Sequence, residues 1–405
     1  MFVWVLSSVY IGLSEAFGLD KFVEEDMRAI VAVPGKENSI QIKEMDIPKI
    51  SETEALVKVK LVGLDRTDRE IIKGLHGESS EGKKELILGH ESLGRVVRVG
   101  NQVKSFKPGN LVVATVRRPD DCINCRVEEY DMCLKGNYTE RGIKGMDGFL
   151  SDYYAEDERF LVRVPDELGK LAVMLEPTSV AEKAVRTAFE AQRRMKWRPE
   201  TAMITGTGTL GLITAVLVKL KGLDVVCVDR SNGEYKEKIF SELGVRHFND
   251  QKINLHDIPK KIGKRMDIVF EMTGSSSIAL HVIMIAGTNA AVVLSSITGG
   301  DKHIVICSDC FNQGMVLGNK TVVGTVSSNK RDFQQGIVDL LAAEKRWPGL
   351  LAKFITGRYS PERISEAISS MGENIKTVIE FDTSDLGNIN PESSEETSKE
   401  SAQGR

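Results

Sequence analysis

The chain has 405 residues, of which 41% are hydrophobic and 28% charged, and its formal net charge at pH 7 is -4. This length exceeds the size at which one hydrophobic core keeps growing, so it predicts two domains. A slightly negative chain without a block of Lys and Arg argues against a nucleic-acid partner and favours a small-molecule substrate. Six unevenly placed cysteines favour a reducing, cytoplasmic location over a disulfide framework.

The two ends of the chain differ from the rest in composition. Residues 2–19 are apolar, but Ser7, Ser8 and Glu15 interrupt them, and the chain lacks the basic start of a signal peptide. We therefore predict no membrane partner and treat residues 1–26 as an N-terminal extension without an assigned role. Residues 383–405 are rich in Ser and Glu, which predicts a disordered tail.

The first half of the chain has short alternating strands separated by turns, a pattern typical of a small β-rich barrel or sandwich. The predicted strands are 40–44, 55–61, 94–99, 110–115 and 160–164. A helix predicted at residues 178–195 follows them and joins this region to the next one.

From about residue 201 the rhythm changes to strand then helix, which predicts a parallel sheet with helices on both faces. The predicted strands are 202–204, 225–228, 268–271 and 291–294, and a later helix at 333–344 precedes a closing strand at 377–381. We expect the closing strand to return to the first domain. The predicted fold is therefore α/β, with a β-rich domain at 27–180 and 318–382 and a doubly wound domain at 181–317.

A glycine-rich loop lies directly after the first strand of the predicted parallel sheet and opens a helix. In this context the first glycine permits a tight turn, the second lets the backbone approach a pyrophosphate, and the third permits close packing. The helix N-terminus offers free N–H groups to the phosphates. We expect the loop to bind a dinucleotide through Gly206, Thr207, Gly208, Thr209, Leu210 and Gly211; the alternative is a glycine-rich turn without a ligand.

Asp229 ends the next strand, at about the 20-residue distance where an acid meets the adenine ribose. A carboxylate there favours NAD and repels the 2′-phosphate of NADP. Arg230 beside it is able to pair with that phosphate, and Ser231 completes the segment. We expect NAD to be preferred, with NADP as an alternative.

Three separate segments supply four candidate zinc ligands, namely Asp65, the adjacent pair His90 and Glu91, and Glu176. Each alone has an ordinary alternative role, as a turn residue, a surface pair or a helix cap. Together with the cofactor loop they indicate a Lewis-acid metal beside a hydride acceptor. Neighbouring side chains on extended backbone point to opposite faces, so His90 and Glu91 both reach a metal only if the chain bends after Gly89. We therefore expect Glu91 to support the metal ligands without binding the metal itself, or to bind it only transiently.

Three segments resemble the GroES-like catalytic domain of medium-chain zinc-dependent alcohol dehydrogenases: Gly63-Leu-Asp-Arg-Thr-Asp-Arg-Glu70, Leu88-Gly-His-Glu-Ser-Leu-Gly94 and Phe106-Lys-Pro-Gly-Asn-Leu-Val112. Two more, Arg141-Gly-Ile-Lys-Gly-Met-Asp-Gly-Phe149 and Leu175-Glu-Pro177, resemble the archaeal glucose dehydrogenases of that superfamily. The resemblance covers about residues 27–381. It implies a GroES-like domain and a Rossmann domain.

The resemblance also implies roles for single residues. Asp65 stands where a cysteine is usual, and aspartate keeps the negative charge of a thiolate while offering a harder oxygen ligand. Thr67, Glu140 and Glu176 match positions that contact the sugar, while Ser327 stands where some relatives have Asn. The positions that match the nicotinamide side are Thr273, Leu294, Ser295, Ser296, Thr325, Val326 and Ser327.

Cys122, Cys125 and Cys133 have the spacing of the structural zinc lobe of that superfamily, but Pro119 stands where a fourth cysteine is common. Asp120, Asp121 or Asp131 is able to complete a tetrahedral site, since zinc accepts oxygen ligands. The alternative is a lobe without metal. For Cys307 and Cys310 we favour small buried free thiols over a metal pair.

These observations predict zinc-dependent oxidation of an aldose, D-glucose at C1, to its lactone with hydride transfer to NAD or NADP. One alternative is a zinc-dependent dehydrogenase of another polyol or alcohol. Another is a catalytically silent dinucleotide-binding protein, which is disfavoured because every ligand position keeps a competent residue type. We also expect a homo-oligomer, either a dimer or a tetramer.

Overall fold

The computed structural model describes residues 26–231, 233–299 and 301–386. The predicted extension therefore lies outside the described residues except for Asp26, and the predicted tail lies outside them after Leu386. The strands are β1 Asp26–Ala32, β2 Gln41–Asp46, β3 Glu54–Leu64, β4 Leu86–Ile87, β5 Glu91–Val99, β6 Leu111–Ala114, β7 Arg117–Arg118, β8 Thr139–Arg141, β9 Gly145–Met146, β10 Tyr153–Asp157, β11 Leu161–Arg163, β12 Thr201–Thr205, β13 Asp224–Asp229, β14 Arg246–Asn249, β15 Met266–Glu271, β16 Ala286–Leu294, β17 Thr321–Gly324, β18 Ile355–Tyr359 and β19 Lys376–Glu380.

The α-helices are α1 Arg66–Ile72, α2 Ile123–Arg126, α3 Leu175–Ala191, α4 Thr209–Leu220, α5 Glu234–Leu243, α6 Ile258–Ile262, α7 Ser276–Ile285, α8 Ser308–Leu317, α9 Lys330–Arg346 and α10 Ile364–Ser370. Short 3-10 segments lie at Tyr130–Met132, Glu158–Phe160, Asp166–Met174, Leu255–Asp257, Leu351–Phe354 and Pro361–Arg363. Within the described ranges, no helix is long and apolar enough to span a bilayer.

The first domain is built on a seven-stranded sheet in the order β11-β6-β5-β3-β19-β18, with β10 also paired to β3. Strand β3 is buried along most of its length and is the centre of this sheet. The closing strand β19 pairs antiparallel with β3, with Thr377 opposite Leu64. The prediction that the closing strand returns to the first domain is therefore confirmed, and this return brings Lys376 next to the end of β3.

The second domain is a six-stranded sheet in the order β14-β13-β12-β15-β16-β17, and all of its pairings are parallel. The four predicted strands are at its centre. Strand β12 is buried at every position, as expected for a parallel sheet covered on both faces. The outermost strand, β17, lies beyond residue 317, where the sequence interpretation ended this domain. The α/β fold class is confirmed.

Helix α3 joins the two domains. It packs against α4 and α9 and buries one apolar side among them. It begins at Leu175, three positions before the predicted start, and this earlier start places Glu176 in its first turn. The strand order reverses between β12 and β15, and open parallel sheets bind ligands at such a position.

Candidate functional site

One cleft of about 490 Å³ lies between the two domains. It brings together residues that the sequence interpretation drew from distant segments, both for the metal and for the cofactor. The predicted residues that line it are Asp65, Thr67, His90, Glu91, Glu140, Glu176, Gly208, Thr209, Leu210, Gly211, Thr273, Ser295, Ser296, Thr325, Val326 and Ser327. Gly206, Thr207, Leu294 and the segment 229–231 lie outside this lining.

Asp65 is the N-cap residue of helix α1. Its carboxylate accepts hydrogen bonds from the Thr67 N–H, at 2.7 Å, and from the Asp68 N–H, while Asp68 Oδ2 accepts from the Asp65 N–H at 3.0 Å. This reciprocal capping box fixes the Asp65 side chain before any ligand binds. The Thr67 hydroxyl donates to Asp65 Oδ2 at 3.2 Å, so Thr67 also lies beside the candidate metal ligand.

His90 is buried between two acids. Its Nε2 lies 3.6 Å from Asp65 Oδ2, and its Nδ1 lies 3.8 Å from Asp68 Oδ1. Asp68 Oδ1 also accepts the Gly89 N–H at 3.2 Å. An acid on the Nδ1 side of an imidazole leaves Nε2 free to ligate a metal, the arrangement usual for metal-binding histidines.

The backbone bends at Gly89, as a joint role for His90 and Glu91 requires. Gly89 has φ of +85°, and a Cβ there would lie 2.7 Å from Leu150 Cγ, so only glycine fits. As a result, ligand atoms of His90, Glu91 and Glu176 lie within 4.8 Å of one another. Asp65, Asp68 and His90 form a second such group.

Glu91 is held by a buried lysine. Lys376, at the start of β19, forms an ion pair with Glu91 Oε2 and donates to the Leu64 carbonyl at 3.1 Å. A Cβ at Gly63 would lie 2.0 Å from Glu91 Oε2 and 2.7 Å from Lys376 Cε, so this glycine makes room for the pair. Glu91 is thus oriented within reach of the cleft but already has a cationic partner.

The acids of the cleft raise one another's affinity for positive charge. Burial raises the pKa of Glu176 to about 8, although the charge of His90 opposes that shift. Burial likewise raises the pKa of Asp68 to about 7. Burial alone would lower the pKa of His90, but the charges of Asp65, Asp68 and Glu176 outweigh it and raise that pKa well above its ordinary value. The cluster therefore favours any added cation.

Glu140 lines the cleft and is oriented by an arginine. Arg117 donates to Glu140 Oε1 from Nε at 3.0 Å and from Nη2 at 2.9 Å. Arg117 also reaches the carbonyls of Tyr130 and Asp131. This grip leaves Glu140 Oε2 for a further donor, such as a substrate hydroxyl.

The three glycines of the cofactor loop have three different environments. Gly206 has φ of +87°, and a Cβ there would lie 2.7 Å from the Met272 carbonyl oxygen. A Cβ at Gly208 would meet nothing within 4 Å, so the backbone is open where a pyrophosphate would approach. A Cβ at Gly211 would lie 1.9 Å from the Gly206 carbonyl oxygen. The loop therefore has a turn, an open face and a close contact in the expected order.

Other cofactor candidates follow the strand ends. Thr273 donates through its N–H and hydroxyl to Glu271 Oε1, and Ser295 Oγ lies 2.9 Å from Thr325 Oγ1. Ser327 has φ of +59°, a left-handed conformation that is uncommon outside glycine. The segment at Asp229 is close to the loop through a hydrogen bond from the Thr207 hydroxyl.

The cysteine lobe contains one four-residue group. Asp120, Cys122, Cys125 and Cys133 have ligand atoms within 4.8 Å of one another, and Cys133 Sγ lies 3.0 Å from Asp120 Oδ2. Of the three candidate aspartates, Asp121 pairs instead with Lys135 at 2.6 Å, and Asp131 with Lys183 at 2.8 Å. Asp120 is thus the acid in position to complete the lobe.

The prediction for Cys307 and Cys310 was wrong. Both are exposed, and a disulfide joins them at the N-terminus of α8. None of the residues of this helix is buried, so the segment offers no apolar pocket for a free thiol.

Three residues of the site escaped the sequence interpretation: Asp68, Lys376 and Arg117. Asp68 had a detectable signal, because Asp-x-x-Asp before a helix is a capping pattern. Lys376 and Arg117 had none, since each acts through a partner that only the tertiary fold brings near.

Comparison with known proteins agrees with this geometry. Residues 169–381 match the family model for the glucose dehydrogenase C-terminus, and residues 51–166 match that for the alcohol dehydrogenase GroES-like domain. The glucose 1-dehydrogenase of Methanocella arvoryzae is 40% identical over 358 residues, covering 88% of this chain and 99% of that protein. That of Thermoproteus tenax is 34% identical over 363 residues, covering 88% of this chain and 100% of the relative.

A solved structure shows the same likeness. Haloferax mediterranei glucose dehydrogenase, in complex with NADP, Zn and gluconolactone, superposes with a TM-score of 0.79 at 31% identity. The superposition covers 87% of this chain and 99% of the Haloferax protein. Both domains and the cleft between them fall inside the matched region, and the chain belongs to the glucose dehydrogenase family of the medium-chain dehydrogenases.

Proposed function

We propose that this protein oxidises an aldose, D-glucose at C1, to its lactone and transfers the hydride to NAD or NADP. The observation that carries the proposal is the single cleft in which His90, Glu176 and Asp65 face the glycine loop of α4. The relative bound to NADP, Zn and gluconolactone supports the same substrate and cofactor classes for this chain.

The donor set of the cleft fits a zinc ion. Asp65, His90 and Glu176 offer two carboxylates and an imidazole, the nitrogen and oxygen ligands that zinc accepts in catalytic sites with an open position. His90 Nδ1 has no hydrogen-bond partner among the described residues, and burial raises the pKa of Glu176, so an added cation would stabilise the ionised form of this carboxyl group. Bound zinc supplies Lewis acidity that lowers the pKa of the substrate hydroxyl.

The residues of this chain hold and orient the sugar. Oxidation at C1 removes a hydride from the carbon, which the nicotinamide ring accepts, and a proton from the hydroxyl. We assign the Thr67 hydroxyl to that substrate hydroxyl, because it lies beside Asp65 and lines the cleft. Glu140, held by Arg117, accepts hydrogen bonds from more distant sugar hydroxyls. Ser327 lines the cleft at the cofactor side and contributes to substrate preference.

The test is a substrate panel combined with metal analysis. The purified protein is dialysed against a chelator and then reloaded with zinc, and its activity on aldoses, polyols and short-chain alcohols is measured with NAD and NADP. Glucose oxidation that is lost and regained with zinc supports the proposal. A preference for a polyol or a plain alcohol over glucose would support the alternative that the protein is a dehydrogenase of that substrate. Cofactor binding without turnover of any substrate would identify a catalytically silent dinucleotide-binding protein.

We propose a second zinc ion in the cysteine lobe, held by Asp120, Cys122, Cys125 and Cys133. Three thiolates and one carboxylate form a closed tetrahedral set of the kind that structural zinc prefers. Two zinc ions per chain are expected, and Cys133→Ser should reduce the count to one while leaving the cleft metal in place. A count of one in the unaltered protein would identify a metal-free lobe.

We propose that the protein forms a homo-oligomer in the cytoplasm. Edge strand β17 and the exposed apolar side chains of Val305, Val316 and Leu317 support self-association through one side of the parallel sheet. Light scattering should give the mass of a dimer or tetramer. The proposed location rests on the four free cysteines Cys122, Cys125, Cys133 and Cys227. Fluorescent tagging in the source cell tests it against the oxidising compartment that the exposed Cys307–Cys310 disulfide favours.

A further inference from the structure

The carboxylate of Asp229 is fully occupied by donors of the chain itself. Its Oδ1 accepts from the Ser231 N–H at 2.9 Å and lies 2.8 Å from His247 Nε2. Its Oδ2 accepts from the Thr207 hydroxyl and from Lys236 Nζ at 3.3 Å, and the Ser231 hydroxyl lies 2.8 Å from both oxygens. A carboxylate has about four acceptor positions, so a ribose diol must compete with these donors.

Two of those donors change the charge of the subsite. Lys236 is an ammonium, and its Nζ also lies 3.3 Å from the Thr207 hydroxyl in the cofactor loop. The cation therefore lies beside both Asp229 and the cofactor loop, which contact each other directly. The neighbouring Arg230 side chain is 73% exposed, with its Nε 3.7 Å from Asp250 Oδ2. The negative charge that would repel a 2′-phosphate is therefore offset within the chain.

His247, on β14, faces an acid with each ring nitrogen. Besides Asp229 on β13, Glu237 on α5 lies 2.6 Å from His247 Nδ1, and the ring stacks on Phe240 at 4.4 Å. Burial lowers the pKa of His247, but the hydrogen bonds to Asp229 and Glu237 outweigh burial and raise it above the ordinary value of 6.5. The imidazole therefore keeps its second proton to a higher pH than a free imidazole does.

We propose that Lys236 and His247 neutralise Asp229, so that the adenosine subsite accepts NADP as well as NAD and favours NADP more as His247 is protonated. This inference rests on the proposed function for its cofactor class. It replaces the expectation, drawn from Asp229 alone, that NAD is preferred. In the protonated state the acid faces two cations, and in the deprotonated state it faces one.

The test compares 2′,5′-ADP with 5′-AMP, which differ only by the 2′-phosphate. Dissociation constants are measured by calorimetry on the zinc-loaded protein. Lys236→Met should weaken 2′,5′-ADP relative to 5′-AMP by about tenfold or more, as loss of a charged hydrogen-bond partner does. Lys236→Arg should retain most of the preference. Lys238→Met is the matched control, because Lys238 is an exposed lysine on the same helix.

The pH arm isolates His247. Between pH 7 and 9.5 the 2′-phosphate stays a dianion, since its second pKa is about 6. Over this range the advantage of 2′,5′-ADP over 5′-AMP should fall by about threefold or more in the unaltered protein, as expected when one of two nearby cations is lost. In His247→Gln the advantage should be nearly constant. Melting temperatures of all variants are measured to confirm that they are folded.

Two results would overturn the inference. One is an equal effect of Lys236→Met and Lys238→Met on the ratio of the two dissociation constants. The other is a ratio that does not change with pH in the unaltered protein. Neither measurement needs a sugar. If glucose is not oxidised but the two nucleotides are still discriminated as expected, only the proposed function is wrong. If glucose is oxidised but the nucleotides are not discriminated in this way, only this inference is wrong.

Discussion

The negative charge of the acidic cleft around Asp65 and that of the acidic cluster around Asp229 are compensated in different ways. In the cleft, Asp65, Asp68 and Glu176 lie around His90, and burial raises the pKa of Glu176 to about 8. At Asp229, burial pulls the pKa upward, but hydrogen bonds from His247, Thr207 and Ser231 and the charge of Lys236 hold it well below its usual range. The first region attracts a cation from outside, whereas the second has its cations built in and can face an anion.

A third buried acid shows another solution. Glu182 in α3 is almost fully buried against α9. Burial, followed by the hydrogen bond with Asp339, raises its pKa to about 9, so it stays protonated at neutral pH. The negative charge of a buried carboxyl group is thus compensated by a metal ion, by a cationic side chain or by a proton, depending on its neighbours.

The largest effect is expected at Lys376, the cation that the cleft does contain. Lys376→Met leaves Glu91 buried without its partner, and removing one member of a buried ion pair costs about 3–5 kcal/mol. We expect that fall in the free energy of unfolding, measured with urea. The double variant Glu91→Gln with Lys376→Met should regain most of it. If the single variant is as stable as the unaltered protein, Glu91 has another source of compensation and the comparison fails.

Next in size is loss of a ligand charge from the cleft. Asp65→Ala should weaken zinc retention and reduce kcat/KM for glucose by more than about 100-fold. This is a larger loss of activity than is usual when a residue that only hydrogen-bonds to a metal ligand is replaced. Asp65→Cys restores a negatively charged ligand and should lose far less. Zinc is counted by mass spectrometry after dialysis, beside steady-state kinetics. Equal zinc content in the Ala and Cys variants would remove Asp65 from the metal site.

Glu140 differs from the other acids of the cleft, because Arg117 already neutralises its charge. In the proposed function, its carboxylate is still needed to accept hydrogen bonds from the sugar. Glu140→Ala leaves sugar hydroxyls unpaired, and losing a hydrogen bond to a charged group costs about 1.5–3 kcal/mol. Efficiency on glucose should therefore fall at least about tenfold, with zinc content unchanged, while a short-chain alcohol is affected less. Kinetics on glucose, galactose and xylose test this. Equal efficiency of both proteins on every sugar would place Glu140 outside the substrate site.

The smallest effect is expected at Glu182. Its folded pKa of about 9 exceeds the ordinary value of 4.5, so its contribution to stability is complete below pH 4.5 and is lost as the pH rises through 9. Glu182→Gln removes this dependence. The melting temperature of Glu182→Gln minus that of the unaltered protein should therefore increase by about 2 °C or more between pH 5 and pH 8, measured by calorimetry. A constant difference across that range would show that Glu182 is ionised in the folded protein.

Local spacing explains what could be predicted from the sequence. The glycine loop could be predicted because Gly206, Gly208 and Gly211 act within one short segment. The bend at Gly89 entered the sequence analysis only as a condition for His90 and Glu91 to reach one metal, and the structure shows it. The strands were predictable from alternation or from continuous apolar runs.

Long-range pairing explains what could not. Lys376 acts on Glu91 and on the Leu64 carbonyl, which is 312 residues away in sequence. Asp229 alone indicated NAD, because the sequence does not reveal that Lys236 and His247 converge on it from α5 and β14. The exposed Cys307–Cys310 disulfide was missed for a similar reason, since burial of a thiol depends on what packs over its helix.

The most direct test of the account is a zinc titration of the metal-depleted protein in the presence of glucose and NADP. Reduced cofactor is followed by absorbance, and bound zinc and gluconolactone are quantified at each point. The account predicts activity that rises with zinc bound at the cleft, and one lactone for each reduced cofactor. Full glucose oxidation by protein that contains no divalent metal would contradict it.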